Sequence, residues 1–163
     1  MADLLAAPLP AKIALITLFL ALAISVVTDL RRHLILNAVT VPALVMVLSC
    51  MCWLGGLPLL TYSAGGVLAS AGIPALAALV NSRLMGWGDV KLLAVCGAVA
   101  GGAAGWGFAL MLFVYVSIAG GLEAALWLLA ARLRGRERPK YVPYGLAIAA
   151  GAGYAFLWGG VLF

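Results

Sequence analysis

Charge is what this sequence has least of. Its 163 residues include 10 Lys or Arg, 5 Asp or Glu and a single His. A water-soluble domain of this length carries far more charge on its surface. Cysteine is scarce as well. Cys50, Cys52 and Cys96 contain no C-x-x-C, and two helical residues two positions apart point to different faces, so Cys50 and Cys52 suit neither a disulfide nor a metal. His33 stands alone beside Arg31 and Arg32. With one histidine in the chain, a Ser-His or Cys-His nucleophile pair has little to rest on, and no metal site is expected.

What fills the chain instead is apolar. Hydrophobic residues make up 66% of the sequence, and the mean hydropathy is +1.19. Leu34 to Ser82 contains no charged residue, and Leu92 to Ala131 contains only Glu123. A bilayer-spanning helix needs about 20 largely apolar residues, so each run has room for two. The runs are continuous rather than alternating, which excludes a β-barrel. The fold class is therefore all-α: one polytopic, membrane-embedded domain over residues 1–163. Breakers set the count. "LGGLP" (54–58) divides the first run and "GGAAGWG" (101–107) the second, which predicts six transmembrane helices near 13–28, 37–54, 62–81, 90–105, 108–131 and 143–163.

Orientation follows from the basic residues. Nine of the ten fall in three places: Arg31 and Arg32, Arg83 and Lys91, and the stretch Arg132 to Lys140; Lys12 is the tenth. Short loops rich in Lys and Arg face the cytoplasm, so six spans with both termini outside put all three clusters inside. The net charge of +5 is then a consequence of topology. No nucleic-acid partner is implied, because the charge is scattered over short loops. "ARLRGRERPK" (131–140) is read as a contact with membrane lipid headgroups. The basic pair follows the first apolar run instead of preceding it, so that run is read as an uncleaved helix.

Five acids remain: Asp3, Asp29, Asp89, Glu123 and Glu137. Asp3 is terminal and Glu137 lies among arginines, as plain surface charges do. Asp29 closes the first span. A carboxylate there opposes the helix dipole, and pairing with Arg31 or Arg32 would account for it. Asp89 opens the fourth span, where helix capping would account for it. Taken together they mean more. Alternating spans bring both to the cytoplasmic edge, partly desolvated yet within reach of water. Two carboxylates meeting there cannot both ionise cheaply and are expected to share one proton. Such a pair suits aspartic proteolysis, in which one acid activates water and the other protonates the carbonyl oxygen. Gly86 and Gly88 would let an extended substrate approach the backbone.

These residues also carry a resemblance. "GWGDVKLL" resembles the G-x-G-D-x-K-L signature of type IV prepilin peptidases. "DLRRHLILN" resembles their first motif, with Asp29 and Asn37 at its ends and Leu36 where proline is usual. "PYGLAIAAG" (143–151) looks like their Pro-Tyr-Gly-x-Ala segment. Presenilin-type proteases share the G-x-G-D element, but their first aspartate follows Tyr, and here Thr28 precedes Asp29. The resemblance implies an aspartic endopeptidase of the bacterial inner membrane with Asp29 and Asp89 as the catalytic pair. Gly86, Gly88, Lys91 and Asn37 would support it. The implied partner is a prepilin, with a short basic leader ahead of a hydrophobic helix, cut on the cytoplasmic side after a leader glycine. Two carboxylates and water would carry the chemistry, so no cofactor is expected. Larger relatives add a domain with paired C-x-x-C motifs and methylate the new N-terminus. This chain has neither the cysteine pairs nor room for the domain between spans one and two. It looks like the short type tied to tight-adherence (Flp) pili, and N-methyltransferase activity is not expected.

Three further features are open at this level. Gly97, Gly101 and Gly105 recur at four-residue spacing, which favours close helix packing. Glu123 lies about two turns inside the cytoplasmic end of span five, where it would stand behind the aspartates and support them. Lys91 has either Asp89 or a headgroup within reach. The competing class is a small proton- or ion-coupled transporter, but its acids would sit at the midplane of an inverted repeat. No such repeat is evident.

Overall fold

The structure, a computed structural model, describes residues 7–81, 85–135 and 143–158. Helix α1 (Leu9–Arg32) starts four residues earlier than the apolar run because Pro10 sits in its first turn, where a missing N–H costs nothing. It closes on Arg31 and Arg32, the favourable end for cations, with His33 in the left-handed conformation and its N–H on the Asp29 carbonyl.

Helix α2 (Asn37–Val80) has 44 residues, and its backbone leaves helical geometry at Gly55 (φ −143, ψ 17) and Gly56 (φ 63, ψ −152). The second pair of angles is open to glycine almost alone. The "LGGLP" break therefore falls where expected, but the chain turns helical again immediately after Gly56 rather than near residue 62. Pro58 opens this second half, again in a first turn. At 1.5 Å per residue the two halves of α2, 44 residues in all, add up to about 66 Å of helix, twice the hydrocarbon thickness of a bilayer.

Helix α3 (Trp87–Ala104) is the centre of the bundle. Every residue from Leu92 to Gly101 is buried, which no lipid-facing helix would show. Gly105 (φ 83) ends it and α4 (Trp106–Leu133) begins at once. Helix α4 buries only Ala109, Leu112, Val116 and Gly120, a single stripe at three- and four-residue spacing. Helix α5 (Tyr144–Trp158) covers that stripe. Phe108 meets Phe156 edge to face with centroids 5.9 Å apart, and Tyr115 meets Tyr154 at 5.1 Å. Outside the bundle Leu57, Leu68, Leu79, Leu126 and Leu133 stand exposed, an arrangement suited to lipid and not to water.

Among the described residues all regular structure is helical, and four helices (α1 to α4) are long and apolar enough to cross a membrane. The count is lower than the six expected for two reasons. The two predicted spans at 37–54 and 62–81 form one element interrupted at Gly55 and Gly56, and α5 has 15 residues. Arg83, Glu137, Asp3 and the basic residues Arg136, Arg138 and Lys140 lie outside the described residues.

Glycine sets how closely α3 meets α2. A Cβ at Gly101 would stand 2.8 Å from the Gly66 Cα, and one at Gly66 would stand 2.7 Å from the Gly101 Cα. Gly97 faces Ser70 and the Gly66 carbonyl just as tightly. Backbones in such contact gain van der Waals packing along their length, and Ser70 ties them further by donating to the Leu93 carbonyl at 3.0 Å. The expected glycine face is thus real for Gly97 and Gly101. Gly105 has a different duty, since nothing approaches it and its positive φ makes the turn.

Candidate active site

Helix ends decide what meets what. The last turn of α1 and the first turns of α2, α3 and α5 come together at one end of the bundle, which gathers the candidate residues there. Asp29 is only 7% exposed, while Arg31 and Arg32 beside it are exposed. The acid turns inward, away from the cations expected to pair with it. Its Oδ2 accepts a buried hydrogen bond from the Gly145 N–H at 2.7 Å. Gly145 is in the first turn of α5, so the carboxylate that opposes the dipole of its own helix lies at the favourable end of another. Charge-assisted bonds of this kind are about twice as strong as neutral ones.

Asp89 is half-buried in the first turn of α3. It is not the N-cap: Gly86 holds that position, with no side chain to cap. Asp89 stands three residues further on and takes a hydrogen bond from the Gly86 N–H, the reach-back half of a capping box. It also lies close enough to Asp29 for the two charges to interact directly. Two carboxylates so placed repel when both are ionised and favour one shared proton.

The glycines of "GWGD" have close neighbours within the chain. A Cβ at Gly86 would stand 2.8 Å from Asp89 Oδ2, and one at Gly88 would stand 2.7 Å from the Ile35 Cβ. Gly86 leaves room for the carboxylate. Gly88 lets the α1–α2 connection lie against α3. The Lys91 Nζ donates to Asn37 Oδ1 at 2.8 Å, tying the start of α2 to α3.

Glu123 enters from α4. Both of its carboxylate oxygens are buried without a hydrogen-bond partner. The Trp127 indole and the Ala147 N–H lie beside it, short of bonding geometry, and it interacts electrostatically with Asp29. Tyr144, next to Gly145, lies within electrostatic reach of both Asp89 and Glu123. Sequence reasoning gave Tyr144 and Gly145 no role of their own. Only the unusual "PYG" ahead of an apolar run pointed at them.

Fold and site together define a multi-pass helical membrane protein with three carboxyl groups gathered at one end of its bundle. The family model described as the type IV leader peptidase family matches residues 16–125, more than half of the chain. The protein belongs to that family, a family of proteases. The match includes Asp29, Asn37, Gly86, Gly88, Asp89, Lys91 and Glu123, and ends before Tyr144 and Gly145. No curated protein and no solved structure matches the chain. Membership leaves the transporter alternative without support.

Proposed function

We propose that this chain is a prepilin peptidase of the aspartic type, in which Asp29 and Asp89 divide the acid and base work. The observation that carries the reading is their approach: two carboxylates from different helices interact at one end of a membrane bundle, and membership of the type IV leader peptidase family supports it. Before reaction the pair holds one proton. The ionised acid takes a proton from water as its oxygen attacks the peptide carbonyl. The protonated acid gives its proton to the carbonyl oxygen. Collapse of the tetrahedral intermediate breaks the C–N bond: the proton taken from water goes to the leaving amine, and a hydroxyl of the diol returns its proton to the acid that gave one, restoring the singly protonated pair.

The substrate is a prepilin: a short basic leader ahead of a hydrophobic helix that lies in the same bilayer. Cleavage falls on the cytoplasmic side of the bacterial inner membrane. The halves of α2 count as two spans and α5 as the last of six, with both termini outside, which sets the site end of the bundle beside the basic clusters. The protein is of the short type associated with Flp pili and removes the leader without methylating the product. It needs no cofactor.

The test is cleavage of a candidate Flp prepilin by the purified protein in liposomes, read by the mass of the released leader. Asp29→Asn and Asp89→Asn should insert and fold yet release nothing. Normal processing by either variant overturns the aspartic assignment.

A further inference from the structure

The N–H that reaches Asp29 belongs to the first turn of a helix. Such groups have no partner within their own helix, so the direction of the Gly145 N–H depends on what holds the start of α5 in place. Contacts with α4 do so. A Cβ at Gly120 of α4 would collide with Tyr144 Cε2 and would stand 2.8 Å from both Cζ and the hydroxyl oxygen. The ring of the residue before Gly145 therefore rests on bare α4 backbone.

The seat continues along the helix. A Cβ at Gly151 would stand 2.6 Å from the Val116 Cα, so α5 backbone meets α4 backbone two turns further on. Tyr144 and Gly151, seven residues apart, share one face of α5. Neighbouring helical residues point about 100° apart, so a turn that sets Tyr144 on α4 presents Gly145 to a different helix. That helix is α1. A Cβ at Gly145 would stand 3.2 Å from the Asp29 Cβ, and the Gly145 N–H donates to Asp29 Oδ2 at 2.7 Å.

We propose that the Tyr144 ring, seated at Gly120, is a positioning group for Asp29: it holds the first turn of α5 where the Gly145 N–H meets the carboxylate. The inference rests on the reading of Asp29 as one of the reacting pair. Tyr144 exchanges no proton, and its ring rather than its hydroxyl is what the seat requires. It acts through α5, so α4 serves the reaction without supplying a reacting acid. Without the ring, Asp29 keeps its place in the chain but loses a fixed orientation, and such a loss lowers turnover rather than binding.

The test pairs kinetics with a signature of the bond itself. kcat and KM are measured for a prepilin peptide, with Asp29→Asn and Asp89→Asn assayed in parallel. In protein made with nitrogen-labelled glycine, the Gly145 amide is the resonance that disappears in Gly145→Ala; its short, charge-assisted bond sets it downfield. Tyr144→Phe keeps the ring, so the amide should not move and kcat should stay within about twofold of wild type. Tyr144→Ala removes the ring, and Gly120→Ala displaces it. Each should lower kcat about ten- to a hundredfold with KM unchanged, and each should move the amide upfield. Adding Gly120→Ala to Tyr144→Ala should cost nothing more, since no ring is left to displace.

An unmoved Gly145 amide in Tyr144→Ala overturns this inference. So does wild-type kcat in that variant with both aspartate variants inactive, a result that leaves the proposed function standing. A Tyr144→Phe loss as large as that of Tyr144→Ala overturns it as well. If Tyr144→Ala does not fold, Gly120→Ala, whose new methyl meets the end of the Tyr144 ring, is judged by the same two readouts. Cleavage by an aspartate variant would instead overturn the proposed function.

Discussion

Asp29 and Gly145, 116 positions apart in the chain, are joined by a buried hydrogen bond of 2.7 Å from the glycine N–H to the carboxylate. The bond closes the bundle on itself, linking the end of its first helix to the start of its last. It also sets which carboxylate oxygen of Asp29 is engaged, leaving the other outside this bond. A side chain at position 145 would intrude on this contact, because a Cβ there stands 2.9 Å from Oδ2 and 3.2 Å from the Asp29 Cβ. Gly145→Ala should insert and fold but lose activity by about a hundredfold, the scale of an ångström-sized misplacement. Cleavage rate and thermal midpoint measured together check this; a rate near wild type would show that the oxygen engaged by Gly145 does not matter.

The two aspartates should respond differently to neutralisation. Asp89→Asn removes a repulsion with Asp29, while the Gly86 N–H still finds an amide oxygen. Its stability should stay within about 1 kcal/mol of wild type. Asp29→Asn weakens a buried, charge-assisted bond and should cost about 1–2 kcal/mol. Unfolding in mixed micelles, followed by helical content, resolves the order. Equal losses would mean that the charge on Asp29 contributes nothing at the α5 terminus.

The glycines divide into those that are packed and those that are free. Gly101 meets Gly66 backbone, and Gly107 meets nothing within 4 Å. Gly101→Leu forces α2 and α3 apart and should lose 3 kcal/mol or more, on the order of severe overpacking. Gly107→Ala, in the first turn of α4, should be neutral or gain up to about 1 kcal/mol from the lower freedom of the unfolded chain. The same unfolding assay reports both, and a tolerated Gly101→Leu would contradict the close helix contact.

These contrasts also show what the sequence could and could not convey. The break in α2 was legible because two glycines and a proline leave few alternatives to a helix interruption. That Asp29 and Asp89 fall at one end of the bundle was legible from where they close and open apolar runs; how near they come was not. Nor were the roles of Gly86, Gly88 and Lys91. Their partners are Asp89 Oδ2, the Ile35 side chain and Asn37, and two of these come from the α1–α2 region, whose distance from α3 no local pattern encodes. The inward turn of Asp29 was hidden for the same reason. Arg31 and Arg32 were the nearest opposite charges in the chain, but its partner is a backbone N–H that only the folded bundle brings near.

The tie between Lys91 and Asn37 joins the start of α2 to the first turns of α3 at the protein surface. Exposed contacts of this kind contribute little, typically under about 1 kcal/mol. A double-mutant cycle of Lys91→Met and Asn37→Ala should give a coupling of about 0.5 kcal/mol in stability. Asn37→Asp should preserve or strengthen the tie by supplying a carboxylate. Loss of activity in Lys91→Met beyond about threefold would show that the lysine acts on the reaction and not merely on the start of α2.

Membrane topology offers the most direct check on where the chemistry occurs. With Cys50, Cys52 and Cys96 replaced, single cysteines can be placed at Leu57, which is 70% exposed beside the Gly55–Gly56 break, and at Arg32, exposed at the end of α1. The two sites lie at opposite ends of the first half of α2, roughly a bilayer apart at 1.5 Å per residue. A membrane-impermeant maleimide added to whole bacteria with a permeabilised outer membrane should label position 57, whereas position 32 should react only after the inner membrane is opened. The reverse pattern would place Asp29, three residues before Arg32, on the outer face. Labelling of both positions from one side would mean that the first half of α2 does not cross the membrane, and with it the six-span arrangement would fail.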